Sequence, residues 1–188
     1  MRKETFKMDS VSKMVSTKKL AVIAMLVAQA AVLHYLESLF PNPVPIPGVK
    51  LGLANIITLV ALVVFDFRTA MQITVLRTIL GSLLAGTLFG MGFFMSFAGA
   101  VTATIVMALV LRSFKMLGMV SISILGAIAH NIGQLLMAAF VLHFPGIFLY
   151  LPAMLAFSIP TGILTGLLIN ELVKYIKATD RVHAILDD

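Results

Sequence analysis

The sequence contains no cysteine. That absence removes structural disulfides, thiolate zinc sites, iron–sulfur ligation and cysteine nucleophiles together, and it leaves the redox compartment unread. Charge is scarce as well: 12% of the 188 residues are Asp, Glu, Lys or Arg, against 60% hydrophobic. With a mean hydropathy of +1.06, the chain has too little charged surface for a soluble globule of this size and belongs in a bilayer. Carboxylates are fewest: Asp187-Asp188 is the one adjacent acidic pair and Asp66 stands alone, so magnesium-dependent diphosphate chemistry lacks its helix-borne cluster. No Walker-type loop is present, which excludes ATP use by that route, and no His-x-x-x-His or Glu-x-x-His spacing offers a metal site. Few ionisable groups follow one another in series, so a dedicated proton relay is hard to assemble. The expectation is a protein that is not an enzyme and carries no cofactor. Any energy for transport comes from another protein or from a gradient.

What the chain does have is apolar length. A spanning helix needs about 20 mostly apolar residues, and six segments meet or approach that: Lys19 to Phe40, Val49 to Phe65, Thr69 to Leu88, Met91 to Leu111, Met119 to Leu142 and Phe148 to Val173. The connectors read as turns, and no soluble domain fits between them. The first apolar run ends in Pro41-Asn42-Pro43 and is too long for the core of a cleavable signal, so it reads as a retained span. The expected organisation is a cytoplasmic tail over 1–18, a six-helix transmembrane domain over 19–174 and a cytoplasmic tail over 175–188.

The +6 net charge acquires meaning from its placement. With both ends in the cytoplasm, that side receives every Lys and Arg except Lys50 and Arg77: a group between Arg2 and Lys19, then Arg68, Arg112, Lys115, Lys174, Lys177 and Arg181. This is the asymmetry of a multi-pass protein of the cell (plasma) membrane. Cations spread along helix ends at one face argue against a nucleic-acid partner. No period of 20 to 50 residues marks a repeat. Small residues are dense at Ala24-x-x-x-Ala28, Gly81 to Gly86, Gly99 to Ala103 and Gly162-x-x-x-Gly166, where they allow helix backbones to approach closely in lipid. Packing within the chain is their ordinary use; docking of a partner subunit is the other.

The functional reading rests on costly polar groups inside the oil. The stretch Pro47-Gly-Val-Lys-Leu-Gly-Leu-Ala-Asn55 carries Lys50 and Asn55 into the second span. Arg77 falls about 13 Å from the inner end of the third, and Asn55 about 9 Å below the outer end of the second. In the fifth span His130 and Gln134 are one turn apart, with Asn131 beside them; Glu37 and His34 are one turn apart near the outer end of the first. Intramembrane ionisable groups are expensive and face a partner or a cavity. We therefore expect Lys50, Asn55, Arg77, His130, Asn131, Gln134 and Glu37 to line an outward-facing pocket for an anionic or electron-rich small molecule. Other readings stand beside this one. Arg77 can pair structurally with Glu37 or a helix-end carbonyl, Lys50 can snorkel to headgroups, and Glu37 and His34 can sit at the membrane boundary, where polar groups are cheap. Gln29 and Gln72 are expected to bond to neighbouring helices.

Three blocks carry a resemblance: Pro47-Gly-Val-Lys-Leu-Gly-Leu-Ala-Asn55, Arg77-Thr-Ile-Leu-Gly-Ser-Leu-Leu-Ala-Gly86 and Gly126-Ala-Ile-Ala-His-Asn-Ile-Gly-Gln-Leu135. In their order, and over about Lys18 to Lys174, the chain resembles the Gx transporter family, also labelled heptaprenyl diphosphate synthase component I. That family in turn is similar to the S components of energy-coupling factor (ECF) transporters. The resemblance implies an all-α, six-helix integral membrane bundle that binds a micronutrient near the outer face and docks on an ECF transmembrane subunit driven by cytoplasmic ATPases. It further implies docking through Ala24 and Ala28. The function expected is substrate binding for micronutrient uptake, with Pro41 to Gly48 as an outer lid. The alternatives are a non-transporting accessory subunit of prenyl diphosphate or quinone synthesis, or of a membrane electron-transfer assembly, and a solitary carrier working without ATPases.

Overall fold

Phe65 closes one helix and Asp66 starts the next. The extended backbone of Asp66 (φ −129°, ψ 171°) lets the carboxylate accept the Thr69 amide at 2.6 Å, filling one of the donors that a helix start leaves open. This bond holds the exposed Asp66 carboxyl below its ordinary 3.8. In the computed structural model, which describes residues 2–39, 53–114 and 116–178, all regular structure is helical. The helices are α1 (Arg2–Leu39), α2 (Asn55–Val64), α3 (Phe67–Leu84), α4 (Met91–Ser113), α5 (Met119–Leu142) and α6 (Leu151–Ala178), with a 3-10 segment, Pro145–Tyr150, leading into α6.

Several helix limits differ from the sequence reading. α1 is helical from Arg2, so the stretch expected as an N-terminal tail is continuous with the first helix. The described part of the second segment becomes helical only at Asn55, so Asn55 opens this helix instead of lying two turns into it; residues 49–52 fall outside the description. α3 begins at Phe67 because Asp66 caps it, and it stops at Leu84 because Gly86 takes a left-handed conformation (φ +66°). There Thr87 donates its amide to the Ser82 carbonyl and Gly86 to Leu83, the paired bonds that close a helix behind a left-handed glycine. The residues expected to start the sixth span, from Phe148, wind as the 3-10 segment, and α6 follows at Leu151. α5 lies where the hydropathy places it.

Contacts fix the direction of each helix. Lys19 lies over the Phe65 ring (6.0 Å to its centroid) at one end of the bundle. His34, farther along α1, meets Gly81 and Ser82, farther along α3; α1 and α3 therefore run parallel. α2 is antiparallel to α3, with Asn55 opposite Arg77 and Thr58 opposite Thr74. In α4 and α5, Gly99 faces His130 and Gln134 while Met107 faces Gly126. A Cβ on Gly162 of α6 would stand 2.7 Å from the Ile124 Cα, and one on Gly166 would strike the Val120 backbone. These glycines draw α6 onto α5, the packing use expected of Gly162-x-x-x-Gly166. The Lys19 level of α1, the start of α3 and the ends of α2, α4 and α6 thus share one face. Lys19, Arg68, Arg112 and Lys174 stand there, and the exposed Glu171–Lys174 ion pair (2.7 Å) belongs to it.

The surface is inverted relative to a soluble protein. Leu83, Leu109, Phe140 and Leu164 are exposed while Thr58, Thr74, Thr104, Arg77 and Gln134 are buried. Exposed apolar belts of this kind are stable only against lipid. Four segments are long and apolar enough to cross a membrane: Lys19–Leu39, Met91–Ser113, Met119–Leu142 and Pro145–Tyr175. α2, with 10 residues, extends about 15 Å, half of the ~30 Å hydrocarbon core. α3 has 18 residues, or about 27 Å, but Arg68, Gln72 and Arg77 interrupt its apolar character. The fold is that of a helical membrane protein.

Candidate functional site

α3 carries Arg77 ten residues past its first, about 15 Å along the axis, and α2 reaches a similar depth with Asn55, nine residues from its own lower end. Both side chains are buried, Arg77 to 1% and Asn55 to 5% exposure. Arg77 Nη2 donates to Asn55 Oδ1 at 2.8 Å. The partner is a neutral amide: among the described residues Arg77 makes no ion-pair contact. Glu37 lies near enough to act on Arg77 electrostatically, but the expected direct Arg77–Glu37 bridge is not among the described contacts. The Glu37 carboxylate also accepts the Leu53 amide at 3.1 Å and so anchors the turn ahead of α2.

His34 and Glu37 are buried within the bundle (2% and 6% exposed). His34 earns its place through Gly81, where any Cβ would lie 2.5 to 2.8 Å from ring and Cβ atoms of the histidine; its Nε2 approaches Ser82 Oγ at 3.4 Å. Gln29 and Gln72 are exposed on α1 and α3. Ala24 and Ala28 are exposed on α1. Lys50 and the Pro41 to Gly48 lid lie outside the described residues.

A second polar group sits between α4, α5 and α6. Gln134 Nε2 and His130 Nε2 are 2.7 Å apart; with the amide donating, the histidine proton lies on Nδ1. Both side chains press on Gly99, whose Cβ would come within 2.8 Å of Gln134 Cγ and 3.0 Å of His130 Cε1. Asn131 donates to the Met154 carbonyl at 3.0 Å and joins α5 to α6. The sequence reading gathers all these residues into one layer. The described contacts instead sort them into an Asn55–Arg77–Glu37 group and a His130–Gln134–Asn131 group. α3 and α5 do not pack on each other; α2 touches both.

A third polar feature, across α2, α3 and α4, is one that the sequence reading missed. Thr58, Thr74 and Thr104, all fully buried, link their hydroxyls at 3.1 and 3.0 Å. Thr104 spends its own proton on the Ala100 carbonyl at 2.8 Å, so it accepts from Thr74, which in turn accepts from Thr58. The chain of donors is one-directional and joins α2, α3 and α4. Threonines are common enough in apolar helices that only the antiparallel pairing of α2 with α3 singles these out.

Two donors remain without a hydrogen-bond partner among the described residues in the first group: Asn55 Nδ2 and Arg77 Nε. Ser96 Oγ and Asn131 Oδ1 are in the same condition elsewhere. No group of three or more His, Asp or Glu able to hold a metal occurs among the described residues. A family model described as heptaprenyl diphosphate synthase component I matches residues 26–172. No curated protein and no solved structure matches the chain.

Proposed function

The chain belongs to the heptaprenyl diphosphate synthase component I family, and from that premise we propose that it is the membrane-embedded substrate-binding subunit of an ECF-type importer for a small organic micronutrient. It crosses the plasma membrane six times, α3 and the segment containing α2 supplying the two spans beyond the four long apolar ones. Both termini face the cytoplasm, on the face that carries Lys19, Arg68, Arg112 and Lys174. It captures its ligand from the opposite side and hands it on through a transmembrane subunit powered by cytoplasmic ATPases, with Ala24 and Ala28 on the docking side of α1. It is not itself a catalyst.

One observation carries this reading. A fully buried guanidinium near mid-membrane is held by a neutral amide, and buried donors are left over on both residues. A purely structural arginine at that depth would be expected to spend its donors on a carboxylate and on carbonyls. A second reading draws on the family's own description: an accessory membrane subunit of prenyl diphosphate or quinone synthesis, without transport. Purification of the full chain from its native membrane separates the two. The importer reading expects co-recovered ATPase subunits and a retained small molecule in native mass spectrometry, the latter lost in Arg77→Ala with little change in the unfolding midpoint. Recovery of a soluble prenyl synthase without ATPases, or parallel loss of retained mass and stability, overturns it.

A further inference from the structure

α2 opens on Asn55 behind Ala54, which adopts a helical conformation and supplies no side-chain cap. The first turn of a helix leaves its amides unsatisfied and carries a partial positive charge of about half a unit. Of these amides Ile56 is taken by the Leu53 carbonyl. Arg77 brings a full positive charge to the same point through its bond to Asn55. Two positive sources therefore meet inside the protein, where each would repel the other; the Glu37 carboxylate, which accepts the Leu53 amide, offsets part of that charge.

The hydrogen-bonding inventory is equally one-sided. Asn55 Oδ1 is occupied by Arg77, and the Thr58 hydroxyl, one turn on, donates away to Thr74. What is left over is Asn55 Nδ2 and Arg77 Nε, both donors, both on side chains more than nine-tenths buried, and adjacent through the bond that joins their residues. Unsatisfied buried donors are costly, and donors on and beside a guanidinium are best satisfied by an anionic oxygen.

We propose that Asn55, Arg77 and the uncapped start of α2 form an oxyanion-binding site, and that the molecule captured is recognised there by a carboxylate or phosphate group. This names the ligand class of the site described above and rests on reading it as a ligand site. The oxyanion has two possible sources, a free small molecule or the headgroup of an anionic lipid, and the chemistry at Arg77 is the same for both.

The test uses the full chain in neutral detergent at constant ionic strength. Its thermal midpoint is titrated with sodium benzoate and inorganic phosphate, with neutral benzamide as the control for the apolar body. Native mass spectra are recorded after incubation with phosphatidylglycerol or with phosphatidylcholine. The wild type should be stabilised in a saturable way by benzoate or phosphate and not by benzamide, or should retain phosphatidylglycerol and not phosphatidylcholine; the first result assigns a free anion, the second a lipid headgroup. Asn55→Asp supplies a built-in carboxylate to Arg77. It should keep or raise the basal midpoint while weakening anion binding roughly tenfold or more. Absence of any anion-selective effect in the wild type, or an unchanged effect in Asn55→Asp, overturns the proposal. Anion binding without co-purifying ATPases would leave this site standing and remove the importer; ATPases without anion selectivity would do the reverse.

Discussion

Replacing Thr74 by Val tests the direction of the hydroxyl chain across α2, α3 and α4. The change preserves shape and removes two hydrogen bonds, one at 3.1 Å and one at 3.0 Å. Inter-helix hydrogen bonds in membrane proteins average about 0.6 kcal/mol, so the bonds alone account for ~1.2 kcal/mol. Thr74→Val also strands the Thr58 hydroxyl as a buried donor, which adds about 1 kcal/mol or more unless it turns to a carbonyl of its own helix. A loss of roughly 1 to 3 kcal/mol follows. Thr58→Val should cost less, about 0.6 kcal/mol, because it removes the donor at the start of the chain and leaves Thr74 with only an unused lone pair. The double variant strands no donor, so it should be no worse than Thr74→Val alone, a clear departure from additivity. Equilibrium unfolding in mixed micelles by titration with sodium dodecyl sulfate, followed by far-ultraviolet circular dichroism, measures all three. If Thr58→Val proves as costly as Thr74→Val, or the double variant shows the sum of both, the assignment of donors and acceptors is wrong.

Three further outcomes follow from the geometry. Gly162→Val and Gly166→Val drive side chains into the α5 backbone at Ile124 and Val120 and should each cost about 1 to 3 kcal/mol by overpacking, read as a drop in the same micelle titration; Gly118→Ala, in open space, should not. The Asp66 cap contributes only while its carboxylate is charged. With a folded pKa below the ordinary 3.8, its contribution is complete above that pH and disappears as pH falls through the lower folded value. Asp66→Asn should flatten that acid limb of the stability profile, and Asp66→Ala should remove about 1 kcal/mol near neutrality. Because the chain lacks cysteine, single replacements report sidedness cleanly: a membrane-impermeant maleimide should label Thr87→Cys on intact cells and Ser113→Cys only after permeabilisation.

Legibility in the sequence followed the strength of the local signal. α4 and α5 are long, mostly apolar runs that each start behind a glycine, and the sequence places their limits within two residues: Met91–Ser113 against Leu111, and Met119–Leu142 without change. α2 was misplaced because hydropathy alone treats Val49 to Phe65 as one run, whereas Asn55 opens the described helix. The end of α3 was missed because Leu88 continues the apolar pattern past Gly86, whose backbone conformation outweighs it. Arg77 and Asn55 were both legible as costly residues. Their mutual bond was not, since it depends on α2 folding back antiparallel after a two-residue turn. The burial of His34 was hidden for a similar reason: the space for it is made by Gly81, on another helix.

The shortness of α2 has an electrical consequence. A charge seated at its first residue has traversed about half of the hydrocarbon, and hence about half of the transmembrane voltage. One elementary charge moved through the full field is worth ~2.3 kcal/mol per 100 mV, so an anion arriving from outside a cell with a negative interior would work against about 1.2 kcal/mol at that potential. Occupancy at Arg77 would then fall roughly sevenfold on energising the membrane, making the half-length helix a voltage sensor as well as an anchor.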